Sequence, residues 1–277
     1  MAKSVEKPTK GSEEQEPNKV PKKRRFLAGL IYSVAVLIFM ATIASYVFRY
    51  ELGLNQLVSS EAIPKPDPER YVMLTEDLEI RRKSLSRRYR DAGTEEARQA
   101  VLQESSQLLQ AVLPDMMRCW LGTPWDFHGT CDGPGKGKIA CGYFVSTTLK
   151  DAGFKVDRYK LAQQPSQNII RTFVDKSRIQ IRAGMGYYDF LTMMKELPKG
   201  IYLVGLDKHV GFIVHEGKDK SIRFIHSSGR TPYRVVDETE PEAISLKYSN
   251  YRVIGNLTAE DDTIKKWLLN QSFPVTQ

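Results

Sequence analysis

The chain has 277 residues, 41% of them hydrophobic and 10% aromatic, which is enough for one globular domain with a sizeable core. The formal net charge is +8, but the first 25 residues carry eight Lys/Arg and four Glu, which leaves only +4 for the rest of the chain. Neither a zinc-finger spacing nor an RNA-binding signature accompanies this charge. The composition therefore argues against nucleic acid as a partner.

The N-terminal region predicts a membrane anchor. Residues 1–25 are rich in Lys, Glu and Pro, which predicts a disordered basic cytoplasmic tail. Residues 26–48 form 23 residues without a charge, long enough for a transmembrane helix. Because the basic residues 22–25 precede this run, the positive-inside rule places the N-terminus in the cytoplasm. We therefore expect a single-pass protein of the inner or plasma membrane, with a periplasmic or extracellular catalytic domain.

Cleavage of the same run as a signal peptide is the alternative. Thr42 and Ala44 make a weak small-residue cleavage site. The run is, however, longer than the 7–15 residues usual for the apolar core of a signal peptide. The sequence favours an uncleaved signal-anchor.

Two regions connect the anchor to the rest of the chain. Residues 49–70 include a proline-rich stretch, which predicts an extended linker. Residues 71–118 predict a stalk of two helices, separated by a break at 91–93 and with the second helix starting after Thr94. Pro114 is expected to kink or restart the second helix.

Residues 119–277 predict an α+β catalytic domain. Strand-like runs occupy 201–206, 209–215, 221–226 and 251–257, and their short connections predict an antiparallel sheet. Short helices are predicted at 166–174 and 187–196. A final helix is predicted from a cap at Thr258 to about residue 269.

Cys141 is the candidate nucleophile. It begins an apolar-periodic helix, where the helix dipole and unpaired N–H groups favour thiolate over thiol. His209, at the start of a strand, is the candidate base. His226 becomes the third, orienting group if the strands that carry the two histidines pair as a hairpin. His215 lies on the strand of His209 but roughly 20 Å away, so it is a poor substitute.

The remaining cysteines leave two interpretations open, a Cys119–Cys131 disulfide in an oxidising compartment or two reduced, packed side chains. The cysteines lack CxxC spacing, and no two histidines lie three or four residues apart, so we expect no metal site. The chemistry of a cysteine nucleophile requires no cofactor, and we expect none.

Four segments resemble a known family when they are taken together. LGTPWDFHGT (121–130), ACGYFV (140–145), KHVGFIV (208–214) and FIHSSG (224–229) are similar, in the same order, to the motifs of the NlpC-type cell-wall cysteine peptidases. The similarity covers about 120–257. It implies a papain-like fold, in which a cysteine-bearing helix packs on an antiparallel sheet that carries the histidines.

The same resemblance implies a function. It makes Cys141 the nucleophile, His209 the base and His226 the orienting residue of a hydrolase. The implied reaction is hydrolysis of amide bonds in peptidoglycan stem peptides, often between a D-γ-glutamyl residue and a diamino acid. The oligomeric state is not determined by the sequence.

The residues around the nucleophile depart from the family pattern. Ala140, Gly142 and Tyr143 stand where the family has Asp, Ser and Gly, and the Asp and Ser help to hold the amino end of the substrate. Trp125 replaces a tyrosine that lies beside the cysteine. We predict that Trp125, His128 and Tyr143 contact substrate. Two further hypotheses stay open: a catalytically weak wall-binding module, and a papain-like amidase or acyltransferase for another substrate.

Overall fold

The computed structural model describes residues 22–51 and 63–277 of the chain. Two compact units are distinguished, Met1–Ala62 and Ile63–Gln277. The first contains helix α1, Lys22–Glu51. Most of the disordered tail predicted at 1–25 and of the linker predicted at 49–70 lies outside the described residues, at 1–21 and 52–62, whereas residues 22–25 and 49–51 are helical within α1.

The predicted transmembrane helix over 26–48 is wrong. The run is helical within α1, and its residues 31–45 are exposed. Among the helices in the described ranges, however, none is both long and apolar enough to cross a membrane. The prediction rested on the absence of charge over 23 residues.

The predicted stalk region forms two long helices, α2 (Pro68–Asp91) and α3 (Glu95–Arg118). Helix α2 begins where the Asp67 side chain accepts the N–H of Arg70, and α3 begins where the Thr94 hydroxyl accepts the N–H of Ala97. The predicted restart does not occur, because α3 continues through Pro114 to Arg118. Pro114 lies close to the C-terminal end of the helix and is buried, so packing offsets the lost backbone donor.

These two helices share the main hydrophobic core with the sheet. Leu78 of α2 and Leu113 of α3 lie in the same buried cluster as Phe144 and Phe212. Trp120, which follows α3, is fully buried and makes edge-on contacts with Tyr71 and Phe144. The helical pair is therefore part of the packed unit that carries the site.

Six shorter helices complete the described chain. They are α4 (Cys141–Asp151), α5 (Arg158–Ala162), α6 (Ser166–Arg171), α7 (Tyr187–Glu196), α8 (Ile244–Lys247) and α9 (Asp261–Leu268), with a 3-10 turn at Lys176–Arg178. Helix α9 begins three residues after its predicted cap. Thr258 does not cap it, because its hydroxyl accepts the N–H of Ile201 and bonds to the Asn256 side chain instead.

The structure is α+β with one six-stranded antiparallel sheet in the order β1-β6-β2-β3-β4-β5. The strands are β1 (Gln180–Ala183), β2 (Gly200–Leu206), β3 (His209–His215), β4 (Arg223–Ser227), β5 (Val235–Glu238) and β6 (Tyr251–Asn256). The two edge strands, β1 and β5, were not predicted from the sequence. Each has only four residues and polar neighbours, which is too short a pattern to indicate a strand.

Alternating side chains give the sheet two buried faces. Leu203 and Phe212 face the core that contains α2, α3 and α4. Their neighbours Val204 and Ile213 belong to a second cluster with Phe190 of α7 and other buried residues. The central strands β2 and β3 are thus covered on both sides, which makes them a rigid base for residues at their ends.

All three cysteines are free thiols, so the disulfide interpretation is wrong. Cys119 is buried in the main core at the end of α3. Cys131 lies in the loop before α4, and its backbone carbonyl accepts a hydrogen bond from Arg158.

Leu113→Ala tests whether α2 and α3 unfold together with the sheet. Leu113 is fully buried in the shared core, so its truncation should lower the free energy of unfolding by about 2–5 kcal/mol. Val72→Ala, at an exposed position of α2, is the matched control and should stay within about 0.5 kcal/mol of wild type. Urea unfolding followed by tryptophan fluorescence measures both. Two separate transitions, only one of them shifted, would contradict a shared core.

Candidate active site

Cys141 is the first residue of α4 and is held in place by the segment before it. The N–H of Ile139 donates to the carbonyl of Pro124 at 2.9 Å, and that of Ala140 to Gly129 at 2.8 Å. The Ser227 hydroxyl, at the end of β4, donates to the Ile139 carbonyl at 2.7 Å. These bonds fix the start of α4 against the end of the sheet. Since the cap residue Ala140 offers no side-chain acceptor, the first-turn N–H groups remain available to the thiol.

His209 begins β3 directly after a tight turn formed by Asp207 and Lys208. The Asp207 carboxylate accepts the Ser249 hydroxyl and the Asn250 N–H, each at 2.8 Å. These hydrogen bonds lower the pKa of Asp207. The turn is therefore tied to the chain before β6, and His209 leaves it in a defined direction.

A row of hydrogen bonds runs from His209 into the protein. His209 Nε2 lies 2.6 Å from His226 Nδ1, and His226 Nε2 lies 3.1 Å from Glu238 Oε2 on β5. His226 has no exposed surface. The sequence prediction that a hairpin brings the two histidines together agrees with this geometry, whereas Glu238 was not foreseen.

Gly211 leaves the space that the second histidine needs. A Cβ at this position would lie 2.8 Å from His226 Cβ and 2.8 Å from Phe224 Cε2, closer than carbon atoms approach. Phe224 stacks on the His226 ring with 4.1 Å between ring centroids. Glycine in the HVG segment is therefore required by the packing of the histidine pair.

Two clefts flank the nucleophile. One has a volume of about 620 Å³ and the other about 400 Å³, and both are lined by Cys141, Gly142, Lys208 and His209. Cys141 and His209 make no hydrogen bond to each other in this described part of the chain. The N–H of Val210, the residue next to His209, does reach the Cys141 thiol. An extended molecule could pass from one cleft to the other across these two side chains.

Two of the three predicted substrate contacts line the larger cleft, namely Trp125 and Tyr143. The Tyr143 ring lies beneath the Arg158 guanidinium, 5.2 Å from its carbon, and Arg158 also donates to the carbonyls of the loop before α4. His128 is exposed beside Phe127. Phe127, rather than His128, lines the cleft.

Glycine at position 142 has a steric reason. A Cβ at this position would lie 2.4 Å from the carbonyl oxygen of Ala162, at the end of α5. Helix α5 thus occupies the space that a serine side chain would need. This part of the larger cleft is lined by Ala162 of α5 and by the aromatic residues Tyr143 and Trp125.

Comparison with known proteins adds no family to this geometry, because no family model, no curated protein and no solved structure matches the chain.

Burial keeps Cys141 and His209 uncharged near neutral pH. It raises the pKa of the Cys141 thiol, and this outweighs the N–H groups of Val210, Gly142 and Cys141, which lower it. Burial also holds the pKa of His209 well below its usual 6.5, with smaller contributions from His226 and Arg230, and it lowers the pKa of His226 to about 3. The helix start by itself does not make a thiolate here, contrary to the sequence-based expectation.

Sequence analysis missed three polar residues of this region. Glu238 lies on the edge strand β5, and Lys208 and Arg230 are exposed cations that line the larger cleft. The pair Val235–Val236 after the turn at 227–232 was the available signal for a further strand, and with it for Glu238.

The reactivity of Cys141 toward iodoacetamide should rise steadily with pH and reach no plateau between pH 5 and 8. The reason is that burial raises the thiol pKa above its ordinary value, so thiolate forms only in alkaline solution. Mass spectrometry of alkylated peptides measures all three cysteines in one sample. Cys119, whose pKa burial raises to about 11, is the internal control and should react more slowly. A constant rate of Cys141 alkylation from pH 5 to 8 would reveal a preformed thiolate instead.

Proposed function

We propose that the protein is a cysteine hydrolase that cleaves amide bonds, with Cys141 as nucleophile and His209 as general base. The observation that carries the proposal is the 2.6 Å contact between His209 Nε2 and His226 Nδ1, in a site whose clefts Cys141 and His209 line together. A base whose far nitrogen is held by a third group is the arrangement that nucleophilic catalysis requires.

The His209 nitrogen that is not bonded to His226 is the one that accepts the thiol proton in the proposed reaction. Since His209 Nε2 is engaged by His226, Nδ1 takes the proton of the Cys141 thiol as sulfur attacks the carbonyl carbon of the substrate. The tetrahedral intermediate collapses, the C–N bond breaks, and His209 returns its proton to the leaving amine. Water, deprotonated by His209, then hydrolyses the thioester and restores the thiol.

Backbone N–H groups supply the stabilisation of negative charge. Those of Cys141 and Gly142 point toward the sulfur in the resting protein. When sulfur bonds to the carbonyl carbon, the oxygen of the intermediate comes close to the same donors. Such preorganised donors are worth roughly 10²- to 10³-fold in rate.

Peptidoglycan stem peptides are the substrate that we propose. The resemblance of four motifs to the NlpC-type peptidases favours them, and two clefts on either side of Cys141 suit an extended peptide. A γ-linked glutamyl residue keeps a free carboxylate, and Lys208 and Arg230 are cations in the larger cleft that suit an anion.

A second candidate is a wall-binding module with little or no turnover. The raised pKa of Cys141 favours it, as does the loss of the family's Asp and Ser at Ala140 and Gly142. The same experiment separates the two candidates.

Incubation of the full chain with purified peptidoglycan should release peptide fragments, and Cys141→Ala should release none. Mass spectrometry of the soluble products identifies the bond that is cut. Cys131→Ala is the matched control and should keep wild-type activity, because Cys131 lies outside both clefts. Products that persist with Cys141→Ala would overturn the nucleophile. Sedimentation with peptidoglycan in the absence of products would support the binding module.

Arg230→Met should raise KM for a stem peptide about tenfold or more and change kcat much less, because Arg230 makes only a small contribution to the pKa of His209. An ion-assisted hydrogen bond to a substrate carboxylate contributes about 1.5–3 kcal/mol to binding, and Arg230 is exposed at the cleft. Steady-state kinetics on a stem peptide measures the change. Lys220→Met, an exposed lysine paired with Glu216 away from the clefts, is the control. An unchanged KM would exclude carboxylate recognition by Arg230.

A further inference from the structure

We propose that Glu238 is a positioning residue that sets the tautomers of His226 and His209, so that the site works only when this carboxyl is ionised. The inference rests on the proposed cysteine hydrolase and deepens it, because it assigns a fourth member to the row and a condition for its activity. It is carried by the geometry of β4 and β5.

Pairing of β4 with β5 delivers the carboxyl to the buried histidine. His226 lies opposite Val236, and Phe224 lies opposite Glu238, so His226 and Glu238 are diagonal neighbours on one face of the sheet. Glu238 Oε2 is 3.1 Å from His226 Nε2, and its side chain is only 15% exposed. A carboxyl that is largely removed from water and bonded to a buried imidazole strongly influences where the imidazole proton lies.

When Glu238 is ionised, the position of the ring proton is fixed on both His226 and His209. The carboxylate can only accept, so His226 carries its proton on Nε2 and its Nδ1 is an acceptor. His209 must then donate from Nε2 to His226 Nδ1. The Nδ1 of His209 is left with its lone pair free, which is the form that can take the proton of Cys141.

One added proton reverses the donor and acceptor roles in both hydrogen bonds, Glu238–His226 and His226–His209. A protonated Glu238 donates to His226 Nε2, so His226 carries its proton on Nδ1 and donates to His209 Nε2. His209 is then protonated on Nδ1 and has no lone pair for Cys141. The result is the same if the proton is on His226 and Glu238 stays ionised, because His226 Nδ1 is again the donor.

The surroundings of Glu238 place this change in the physiological range. The pKa of Glu238 is raised to about 7. Burial is the largest cause, and the nearby carboxylates of Glu242 and Asp237 make smaller contributions in the same direction. Within the described part of the chain, His226 of β4 and Tyr187 of α7 also interact with Glu238, and both are uncharged near neutral pH. Arg223 of β4 and Arg118 of α3 are bound to Asp237.

The sign of the pH dependence follows directly. Because its pKa is raised to about 7, Glu238 becomes protonated as pH falls through 7, and the inactive tautomers then prevail. Activity should therefore rise with pH around 7, well above the pKa of His209, which burial holds below 6.5.

Glu238→Gln tests the assignment in the full chain. Gln keeps the size of the side chain but neither accepts as a carboxylate nor titrates. We expect kcat/KM at pH 8 to fall by about 10²- to 10⁴-fold, as when an orienting carboxylate is replaced by its amide, and the rise of activity near pH 7 to disappear. An unchanged pH profile would overturn the proposal, and so would undiminished activity at pH 8.

Glu242→Gln is a matched variant outside the row of hydrogen bonds. It removes one of the two like charges that raise the pKa of Glu238, so the rise of activity should move to lower pH with the same maximum. Glu240→Gln is the neutral control, because the Glu240 carboxylate contacts Lys195 and the N–H of Ile222 instead. A Glu242→Gln profile identical to wild type would contradict Glu238 as the titrating group.

Nitrogen-15 spectra of the histidine rings test the inference without any substrate. The proton of His209 should move from Nδ1 at pH 5.5 to Nε2 at pH 8 in wild type, and no such change should occur near pH 7 in Glu238→Gln. The His209→Asn spectrum assigns the resonances. A tautomer change without peptidoglycan hydrolysis would sustain this inference and refute the proposed substrate. Hydrolysis of peptidoglycan with an unchanged His209 tautomer would support the proposed substrate and refute this inference.

Discussion

The buried imidazole of His226 is the constraint on which the site depends. A ring with no exposed surface needs a partner at each nitrogen, since an unpaired buried polar atom costs about 1–3 kcal/mol. His209 meets one nitrogen and Glu238 the other. Strand β5 is needed to bring Glu238, and glycine at 211 is needed to make room for the ring. The end of the sheet is therefore organised around one side chain that touches no solvent.

The same burial shapes the chemistry that we propose. Removal from water raises the thiol pKa of Cys141 and lowers the pKa of His209, so the resting site holds a thiol and a neutral imidazole. Charge would then appear only as a substrate carbonyl is attacked, beside the N–H groups at the start of α4. Because the resting cysteine is a thiol and not a thiolate, it is less readily oxidised. Proton transfer to His209 then becomes part of the catalytic step.

The surroundings of Cys141 are shaped by residues that lie outside its own segment of the chain. Helix α5 places the Ala162 carbonyl where a serine at position 142 would stand. Arg158 binds the loop before α4 through its carbonyls and lies over the Tyr143 ring. The cleft wall is thus formed by residues well outside the short segment around Cys141.

Sequence by itself determined the features that local rules govern. Strand-like runs with short connections placed the central strands, Thr94 marked the start of the second long helix, and motif order singled out Cys141, His209 and His226. Only tertiary structure decided the rest. A four-residue edge strand carries too weak a pattern to reveal Glu238, and the pKa directions depend on desolvation by residues distant in sequence. Likewise, an uncharged run at 26–48 predicted a membrane span that no helix within the described ranges provides. Burial and pairing are properties of the folded chain, and they set the chemistry of this site.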